Sequence, residues 1–244
     1  MICVSLDAVT METALEKMTA GFRRADLLEL RIDRIADLDL PMLLKAKKGP
    51  VLVTNRRREE GGGFCGTEEE RLFLLREAVR LGADYVDLEA ATDDRLARRL
   101  LAVVAEQGRR TRVIVSFHDF RGTPVERTLR QTWRVCREKG GDIVKIVTHA
   151  RRPEDNLRVL SLIPYSRRRG QDIIAFCMGE QGRIGRIMAP LLGSFLAFAA
   201  LEKGEEAAPG QWTVGEMRHL LKTLTVARSS ADESNTVDCI RTKS

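Results

Sequence analysis

Lys145 lies inside an apolar run, Ile143-Val-Lys-Ile-Val147, whose length and branched side chains predict a buried β-strand. A lysine at such a position is costly unless it is paired or functional, because its charge loses hydration. Desolvation and neighbouring positive charge favour the neutral amine, which can attack a carbonyl to form a Schiff base. An ion pair with Asp87 or Glu89 explains the lysine equally well, so this residue alone leaves both interpretations open.

His118 directly follows the predicted strand 112–117, which precedes the strand of Lys145, and it is the second candidate for chemistry. Imidazole titrates near neutral pH, so beside Lys145 it could remove and return protons during a reaction. A histidine at a strand end can also be a hydrogen-bonded structural group. The other two histidines are weaker candidates, because His149 lies in an arginine-rich loop and His219 in the last helical segment.

Acidic residues near the same strand ends allow two further interpretations. Asp87, Glu89, His118 and Asp119 are suitable metal ligands, but the arginines and the lysine expected beside them would repel a cation. The sequence therefore favours a site without a metal. The glycines of residues 179–185 could cradle a phosphate, although their spacing is not that of a P-loop.

Short apolar runs alternate with longer amphipathic segments along the chain. The predicted strands are 2–6, 27–32, 51–55, 85–90, 112–117, 142–147, 172–176 and 194–199. The predicted helices are 10–24, 39–48, 67–82, 93–107, 124–139, 153–168, 184–192 and 213–225. This alternation predicts parallel strands, and eight units predict an α/β fold, a single-domain (β/α)8 TIM barrel. An open doubly wound sheet is the structural alternative.

Active-site residues of such a barrel sit at the C-terminal ends of its strands and in the loops that follow. Residues that could bind or react collect at those positions. They are Glu29, Arg31, Arg56, Glu60, Asp87, Glu89, His118, Lys145, Met178, Arg186 and Gln211. Side chains two positions apart on a strand share a face, so Glu29 and Arg31 point the same way, as do Asp87 and Glu89.

The 244 residues suit one large domain, which we place at 1–225 as the catalytic barrel. Residues 226–244 are rich in Ser, Asp, Asn and Thr with little periodicity, and they predict a disordered C-terminal tail. No apolar run is long enough to cross a membrane, and no secretory signal is visible. The five cysteines are odd in number and lack a C-x-x-C pair, which favours free thiols and a cytoplasmic location.

The net charge of +6 allows a nucleic-acid-binding interpretation, supported by arginine clusters at 56–58, 109–110 and 167–169. These clusters are dispersed, and aromatic residues make up only 5% of the chain, too few to build stacking platforms. We therefore expect solvated helix ends and anion-binding residues, with no nucleic-acid partner.

Taken in order, the motifs resemble those of type I 3-dehydroquinate dehydratase. The matching segments are Glu29-Leu-Arg-Ile-Asp33, Thr54-Asn-Arg56 with Glu60-Gly-Gly62, Asp87-Leu-Glu89, Ser116-Phe-His118-Asp-Phe120 with Thr123-Pro124, Asp142-Ile-Val-Lys145-Ile146, Phe176-Cys-Met178-Gly179 with Gly182 and Arg186, Gly193-Ser194, and Ala208-Pro-Gly-Gln211. Any one motif would be weak, whereas all of them in order, across residues 2–225, make a specific match.

The resemblance implies a homodimeric (β/α)8 lyase, free of metal and cofactor, that dehydrates 3-dehydroquinate to 3-dehydroshikimate in the shikimate pathway of aromatic amino acid biosynthesis. It implies that Lys145 forms the Schiff base, that His118 moves protons and that Glu60 orients His118. The remaining matches are substrate-binding or pocket residues: Arg186 at the carboxylate, Glu29, Arg31 and Arg56 around the ring hydroxyls, Gln211 on a lid, and Ser5 and Met178 on the wall.

The sequence departs from the family pattern in three places. The family often has serine where this chain has Gly185 and Ala207. Many bacterial members begin with a β-hairpin that plugs the bottom of the barrel, whereas here Met1 directly precedes the first strand, so we expect that hairpin to be absent. These departures bear on one substrate contact and on stability rather than on the central chemistry.

One competing function shares the lysine. A class I aldolase would also form a Schiff base, but it would act on a sugar or sugar phosphate and break a C–C bond. Arg186 and a single carboxylate site favour the dehydratase, whereas tight phosphate binding would favour the aldolase.

Overall fold

The computed structural model describes residues 1–232, with side chains to residue 225. Eight strands form one sheet: β1 (Ile2–Leu6), β2 (Leu27–Arg31), β3 (Val51–Thr54), β4 (Tyr85–Glu89), β5 (Arg112–Asp119), β6 (Ile143–His149), β7 (Asp172–Met178) and β8 (Ala197–Ala199). All of the neighbouring pairs are parallel, in the order β7-β6-β5-β4-β3-β2-β1-β8. The predicted parallel sheet of eight strands is therefore confirmed.

The sheet closes nearly completely into a barrel. Cys3 of β1 pairs with Phe198 of β8, which joins the last strand to the first. On the other side, the backbone N–H of Phe195 donates to the carbonyl of Ile173 at 2.7 Å, bringing β7 beside the start of β8. This closure confirms the TIM barrel over the open doubly wound alternative.

Helices cover the outside of the barrel. They are α1 (Met11–Gly21), α2 (Leu40–Lys45), α3 (Glu68–Arg80), α4 (Asp94–Glu106), α5 (Glu126–Glu138), α6 (Asp155–Leu160), α7 (Leu162–Arg167), α8 (Arg183–Leu191) and α9 (Val214–Asp232). None of those within residues 1–232 is long and apolar enough to span a membrane.

Helix α3 shows why these segments fold locally. Thr67 caps it by accepting the backbone N–H of Glu70, while the Glu70 carboxylate accepts the backbone N–H of Thr67 at 2.7 Å. This capping box satisfies amides that have no partner inside the helix. Leu72, Leu75 and Val79 then repeat at helical spacing and are buried against the barrel.

Several boundaries differ from the sequence prediction by a few residues, and two of the differences have a clear physical cause. The single helix predicted for 153–168 is divided at Ser161, because Pro164 has no N–H to continue the α6 hydrogen-bond ladder. Helix α9 continues to Asp232, beyond the predicted tail boundary at 226, because the capping box of Thr213 and Glu216 starts it and no glycine or proline ends it there. The rest of the predicted tail, 233–244, lies outside the described residues.

The barrel interior changes from apolar to polar along its axis. On several strands an apolar residue is followed, two positions later on the same face, by a polar one. The pairs are Cys3 and Ser5, Leu27 and Glu29, Leu52 and Thr54, Tyr85 and Asp87, Ile114 and Ser116, and Ile143 and Lys145. The apolar layer forms the floor on which the polar layer is held near the C-terminal ends of the strands.

The opposite end of the barrel is covered by side chains of the chain itself. The ring of Phe195 lies 6.1 Å from that of Tyr85, and the guanidinium of Arg112 lies over Phe195 at 4.7 Å. Arg112 also pairs with Asp172 at 2.7 Å. These residues stand at the N-terminal ends of β4, β5, β7 and β8, so they cover the end of the barrel remote from the polar layer.

Candidate active site

A cavity of about 290 Å³ opens at the C-terminal ends of the strands. The predicted site residues that line it are Ser5, Glu29, Arg31, Arg56, Glu60, His118, Lys145, Met178 and Arg186. Sequence reasoning gave no role to several others, including Arg34, Phe120, Val147, Phe176 and Phe198. Only their positions along the chain could have indicated that they line the cavity. Val147 and Phe198, for example, stand at inward-facing positions of β6 and β8.

Lys145 is held by carboxylates at the centre of this cavity. Its Nζ lies 3.1 Å from Oδ2 of Asp87 and 3.8 Å from Oε1 of Glu29, and it stands 4.5 Å above the centre of the Phe198 ring. The side chain is only 5% exposed. Among the described residues that line the cavity it is the one lysine, so any Schiff base in this cavity would form there.

Asp87 and Arg56 form the second part of the charged network. Arg56 pairs with Asp87 at 2.8 Å and with Glu89 at 2.9 Å, and it donates to the hydroxyl of Ser116 at 2.8 Å. Burial alone would raise the pKa of Asp87, but Arg56 and Lys145 outweigh it and hold that pKa well below its usual range. Asp87 is therefore a fixed negative charge beside Lys145.

Arg71, which sequence reasoning missed, is a buried arginine of α3 that reaches into this network. It pairs with Glu89 at 2.6 Å and with Glu68 at 2.8 Å, and it donates to the carbonyl of Asn55 at 2.7 Å. Glu89 is thereby shared between Arg71 and Arg56, which leaves Asp87 to face Lys145. The one sequence signal for this role was an arginine on the buried face of an amphipathic helix.

His118 is fixed by Glu60 at the rim of the cavity. Oε2 of Glu60 accepts the backbone N–H of His118 at 3.0 Å and lies 2.9 Å from Nδ1 of its ring. The register places Ser116 opposite Lys145, so His118, two residues later on the same face, lies about 7 Å nearer the mouth. The tautomer that donates from Nδ1 to Glu60 leaves Nε2 free to accept a proton.

The surroundings shift the pKa values of His118 and Glu60 in opposite directions. Burial lowers the pKa of His118 well below its usual range, and the positive charges of Arg56 and Lys145 add to that effect. Burial likewise raises the pKa of Glu60 to about 7, with repulsion from Glu89 and Asp87 in the same direction. At neutral pH the imidazole is therefore uncharged and able to act as a base.

Arg31 is held at the cavity wall by Asp33, whose part in the site was not predicted. Its Nε and Nη2 donate to the two carboxylate oxygens of Asp33 at 2.9 and 2.7 Å. Oδ2 of Asp33 also accepts the backbone N–H of Gly63 at 2.9 Å. Burial would raise the pKa of Asp33, but the contacts with Arg31 and Gly63 lower it, so the loop after β3 is tied to an ionised carboxylate.

Arg186 differs from the other cations of the cavity because it has no carboxylate partner among the described residues. Its Nη2 donates to the carbonyl of Pro209 at 3.1 Å, its guanidinium lies 4.6 Å from the centre of the Phe176 ring, and its buried Nε has no hydrogen-bond partner. Burial lowers its pKa to about 10, and the nearby charge of Arg183 adds to that effect. Such a site is ready to receive an anion from outside the protein.

Two predicted substrate contacts have different surroundings. The hydroxyl of Ser5 donates to Glu29, whose other oxygen accepts from Thr54 at 2.8 Å, so Ser5 orients an acid of the cavity wall. Gln211 is not among the side chains that line the cavity: its Oε1 accepts the backbone N–H of Ala207 at 2.8 Å. In this structure it shapes the 207–211 loop, and a contact with substrate stays a prediction.

Two of the three carboxylates considered as metal ligands, Asp87 and Glu89, are engaged by cations, whereas Asp119 accepts the backbone N–H of Arg121. Asp87 and Glu89 pair with Arg56, and Glu89 pairs also with Arg71. Within residues 1–232, no group of three His, Cys, Asp or Glu side chains is placed to hold a metal ion. The glycines at 179–185 permit close packing: a Cβ at Gly179 would meet the ring of His149 at 2.7 Å.

Comparison with known proteins gives consistent matches across most of the chain. The family model described as Type I 3-dehydroquinase matches residues 2–228. A 3-dehydroquinate dehydratase of Desulfotalea psychrophila is 39% identical over 217 residues, covering 89% of this chain and 95% of the relative. One of Thermococcus gammatolerans is 41% identical over 211 residues, covering 86% and 92%.

A solved structure agrees with the sequence comparisons. The crystal structure of 3-dehydroquinate dehydratase from Geobacillus kaustophilus superimposes with a TM-score of 0.84 at 29% identity, covering 92% of this chain and 91% of that one.

Proposed function

Because the chain belongs to the type I 3-dehydroquinase family, we propose that it dehydrates 3-dehydroquinate to 3-dehydroshikimate through a Schiff base on Lys145. The resemblance drawn from the motifs is thereby confirmed at the level of the family. The observation that carries the residue assignment is the shared cavity, in which Lys145, His118 and the unpaired Arg186 meet. This reaction belongs to the shikimate pathway of aromatic amino acid biosynthesis.

In the first step the amine of Lys145 attacks the substrate ketone and expels water, giving a protonated imine. Asp87 and Glu29, which lie 3.1 and 3.8 Å from Nζ, would stabilise the cation of this imine as they do the ammonium. Their positions are fixed by Arg56 and Thr54 before the substrate arrives, so little reorganisation is needed.

The imine acidifies the neighbouring C–H bond, and His118 removes that proton through the nitrogen that Glu60 leaves free. The resulting enamine expels the β-hydroxyl, which takes the same proton from His118 and leaves as water. A second water then hydrolyses the imine, releasing the enone product and restoring Lys145. One water is therefore lost from the substrate overall.

Arg186 would hold the substrate carboxylate during these steps. Its guanidinium fork is buried without a carboxylate partner in residues 1–225, and a planar carboxylate can accept two parallel hydrogen bonds from it. This pairing would direct the ketone towards Lys145 from the opposite side of the cavity.

Covalent trapping tests the proposal directly. Treatment with 3-dehydroquinate and borohydride should reduce the imine to a stable adduct, which peptide mass spectrometry should locate at Lys145. The Lys145→Met variant should give no adduct and no rise in enone absorbance, whereas Lys48→Met, at an exposed lysine, should behave as the parent does. An adduct on another lysine would overturn the mechanism.

We further propose that the protein is a cytoplasmic homodimer. Leu157 of α6 and Ile184 and Met188 of α8 are exposed apolar side chains on two helices that pack together, and a second copy could cover them. Light scattering of Leu157→Asp/Ile184→Asp tests the dimer, which this variant should dissociate.

The proposed cytoplasmic location rests on the cysteines. Those among residues 1–225 are free thiols, as a reducing compartment favours.

A further inference from the structure

A second cavity, of about 490 Å³, opens beside the catalytic one between the loops that follow β5 and β6. We call it the arginine cavity, and its charged wall residues are Asp119, Arg121, Arg151, Arg152, Asp155 and Arg158. The four arginines do not line the catalytic cavity. The mechanism above gives none of them a role.

Both carboxylates of the arginine cavity are engaged by backbone amides. Asp119 accepts the backbone N–H of Arg121 at 2.8 Å, and Asp155 accepts those of Arg151 and Arg152 at 2.8 and 3.2 Å. Within residues 1–225, the guanidinium groups of these three arginines form no ion pair. Three arginines without an ion pair among residues 1–225 therefore border one cavity, whose four arginines outnumber its two carboxylates.

The walls of this cavity are held together before any ligand binds. The hydroxyl of Thr123 lies 2.8 Å from that of Thr148 and donates to the carbonyl of His149 at 2.9 Å. Asp155 also pairs with Arg158, which donates to the carbonyl of Thr123 at 3.3 Å. The loops after β5 and β6 are thus joined, which reduces the ordering that binding would require.

The net positive charge of the chain arises from the segment that supplies most of the wall of this cavity. Residues 121–170 contain thirteen of the 41 basic side chains and only five of the 35 acidic ones. The rest of the chain holds 28 basic and 30 acidic residues, so the net charge of +6 arises within this segment. A positive field of this kind raises the local concentration of small anions.

We propose that the arginine cavity binds a small soluble metabolite that carries a phosphate group. Guanidinium forks match phosphate oxygens in pairs, and three of them around one hollow can surround a dianion. A concave site of this size suits a small molecule better than the backbone of a nucleic acid, which would need an extended groove. The proposal does not depend on the dehydration reaction.

Calorimetric titration with inorganic pyrophosphate tests this assignment. The parent protein should bind one equivalent, and Arg151→Ala/Arg152→Ala should raise the Kd about tenfold or more, since charge-assisted bonds are lost. Arg121→Ala provides an independent variant and should weaken binding in the same way. Unchanged turnover of 3-dehydroquinate by each variant would establish that it is folded.

The matched control is Arg127→Ala/Arg134→Ala, which removes two exposed arginines of α5 outside the cavity and changes the net charge equally. It should leave the pyrophosphate Kd within about twofold. Equal weakening in both double variants would mean general electrostatic attraction and would overturn the proposal. Loss of binding in Arg186→Ala alone would place the anion in the catalytic cavity and would likewise overturn the proposal.

Discussion

Lys145 and Arg186 are both buried cations of one cavity, but their surroundings differ. Lys145 stands beside two carboxylates, whereas Arg186 has a carbonyl, an aromatic face and an unbonded Nε. A paired cation suits a covalent intermediate that keeps its charge, and an unpaired one suits an incoming anion. The desolvation cost of Arg186 is carried by the free protein and is relieved when an anion binds.

At this scale we predict that Arg186→Ala raises KM for 3-dehydroquinate by about 30-fold or more, corresponding to ~2 kcal/mol of lost carboxylate binding. The carboxylate is charged in ground and transition states alike, so kcat should fall less than KM rises. Steady-state kinetics measure both. Arg183→Ala is the control, because Arg183 lies over Trp212 at 4.1 Å and is one-third exposed. A larger effect at position 183 would contradict the assignment.

The pH dependence of stability should report on Glu60. Burial raises its pKa to about 7 from an ordinary 4.5, so the folded protein binds this proton more tightly than the unfolded chain. The stability it contributes is present below about pH 4.5 and is lost as the pH rises through about 7. Glu60→Gln cannot ionise, so it does not lose this stability. As the pH rises across this window, the unfolding free energy of the variant should therefore increase by up to ~3 kcal/mol relative to that of the parent.

Urea denaturation at several pH values between 5 and 8 measures that difference. Glu59→Gln is the control, since Glu59 is exposed and contacts shift its pKa downward, away from this window. Parallel stability curves for the parent protein and Glu60→Gln would show that the carboxylate does not titrate near neutrality.

At the scale of elements, the close approach of α6 and α8 accounts for one departure from the family pattern. Asn156 of α6 donates to the carbonyls of Pro153 at 2.9 Å and Gln181 at 2.7 Å, and its buried Oδ1 faces Gly185. A Cβ at position 185 would overlap that oxygen. The glycine lets the first turn of α8, which carries Arg186, lie directly on α6.

We therefore predict that Gly185→Ser raises KM several-fold in the parent protein, because α8 or Asn156 must shift and Arg186 moves with the helix. In an Asn156→Ala background the same replacement should change KM little. The two changes should show a coupling of about 1 kcal/mol or more, as contacting residues do. Additive effects in this double-mutant cycle would show that Asn156 does not restrict position 185.

At the scale of the molecule, chemistry and closure are at opposite ends of the barrel. The polar layer lies at the C-terminal ends of the strands, while Tyr85, Phe195 and Arg112 cover the N-terminal ends. Within residues 1–232, the side chains that cover this end belong to the strands of the barrel and to the residues that precede β8. The cluster around Phe195 therefore protects the apolar floor.

This arrangement predicts that Phe195→Ala lowers the free energy of unfolding by ~2 kcal/mol, less than a fully buried phenylalanine because Phe195 keeps some exposure. The loss should leave kcat and KM within about twofold, since the catalytic cavity is at the other end. Denaturant unfolding and enzyme assays test the two statements separately. A large loss of activity in a folded variant would contradict the separation of the two ends.

The sequence alone predicted the strand–helix alternation, the barrel and the candidates for catalysis, and closure of β8 onto β1 then excluded the open doubly wound sheet. The alternation of apolar runs with amphipathic segments is local information, and eight repeats of it leave few arrangements other than a barrel. The isolation of Lys145 in an apolar strand and the motif around His118 are equally local. Boundaries were less accurate where one residue interrupts a pattern, as Pro164 does between α6 and α7.

Only the tertiary structure decided which charges meet. The sequence offered Asp87 and Glu89 equally to Lys145, but Arg71 reaches Glu89 from α3, and Asp87 faces the lysine. The sequence likewise did not show that no carboxylate of residues 1–225 pairs with Arg186. Such pairings join residues far apart in the chain, and they depend on how the staggered strands align around the barrel. No local pattern records that alignment, because closure of the sheet sets it.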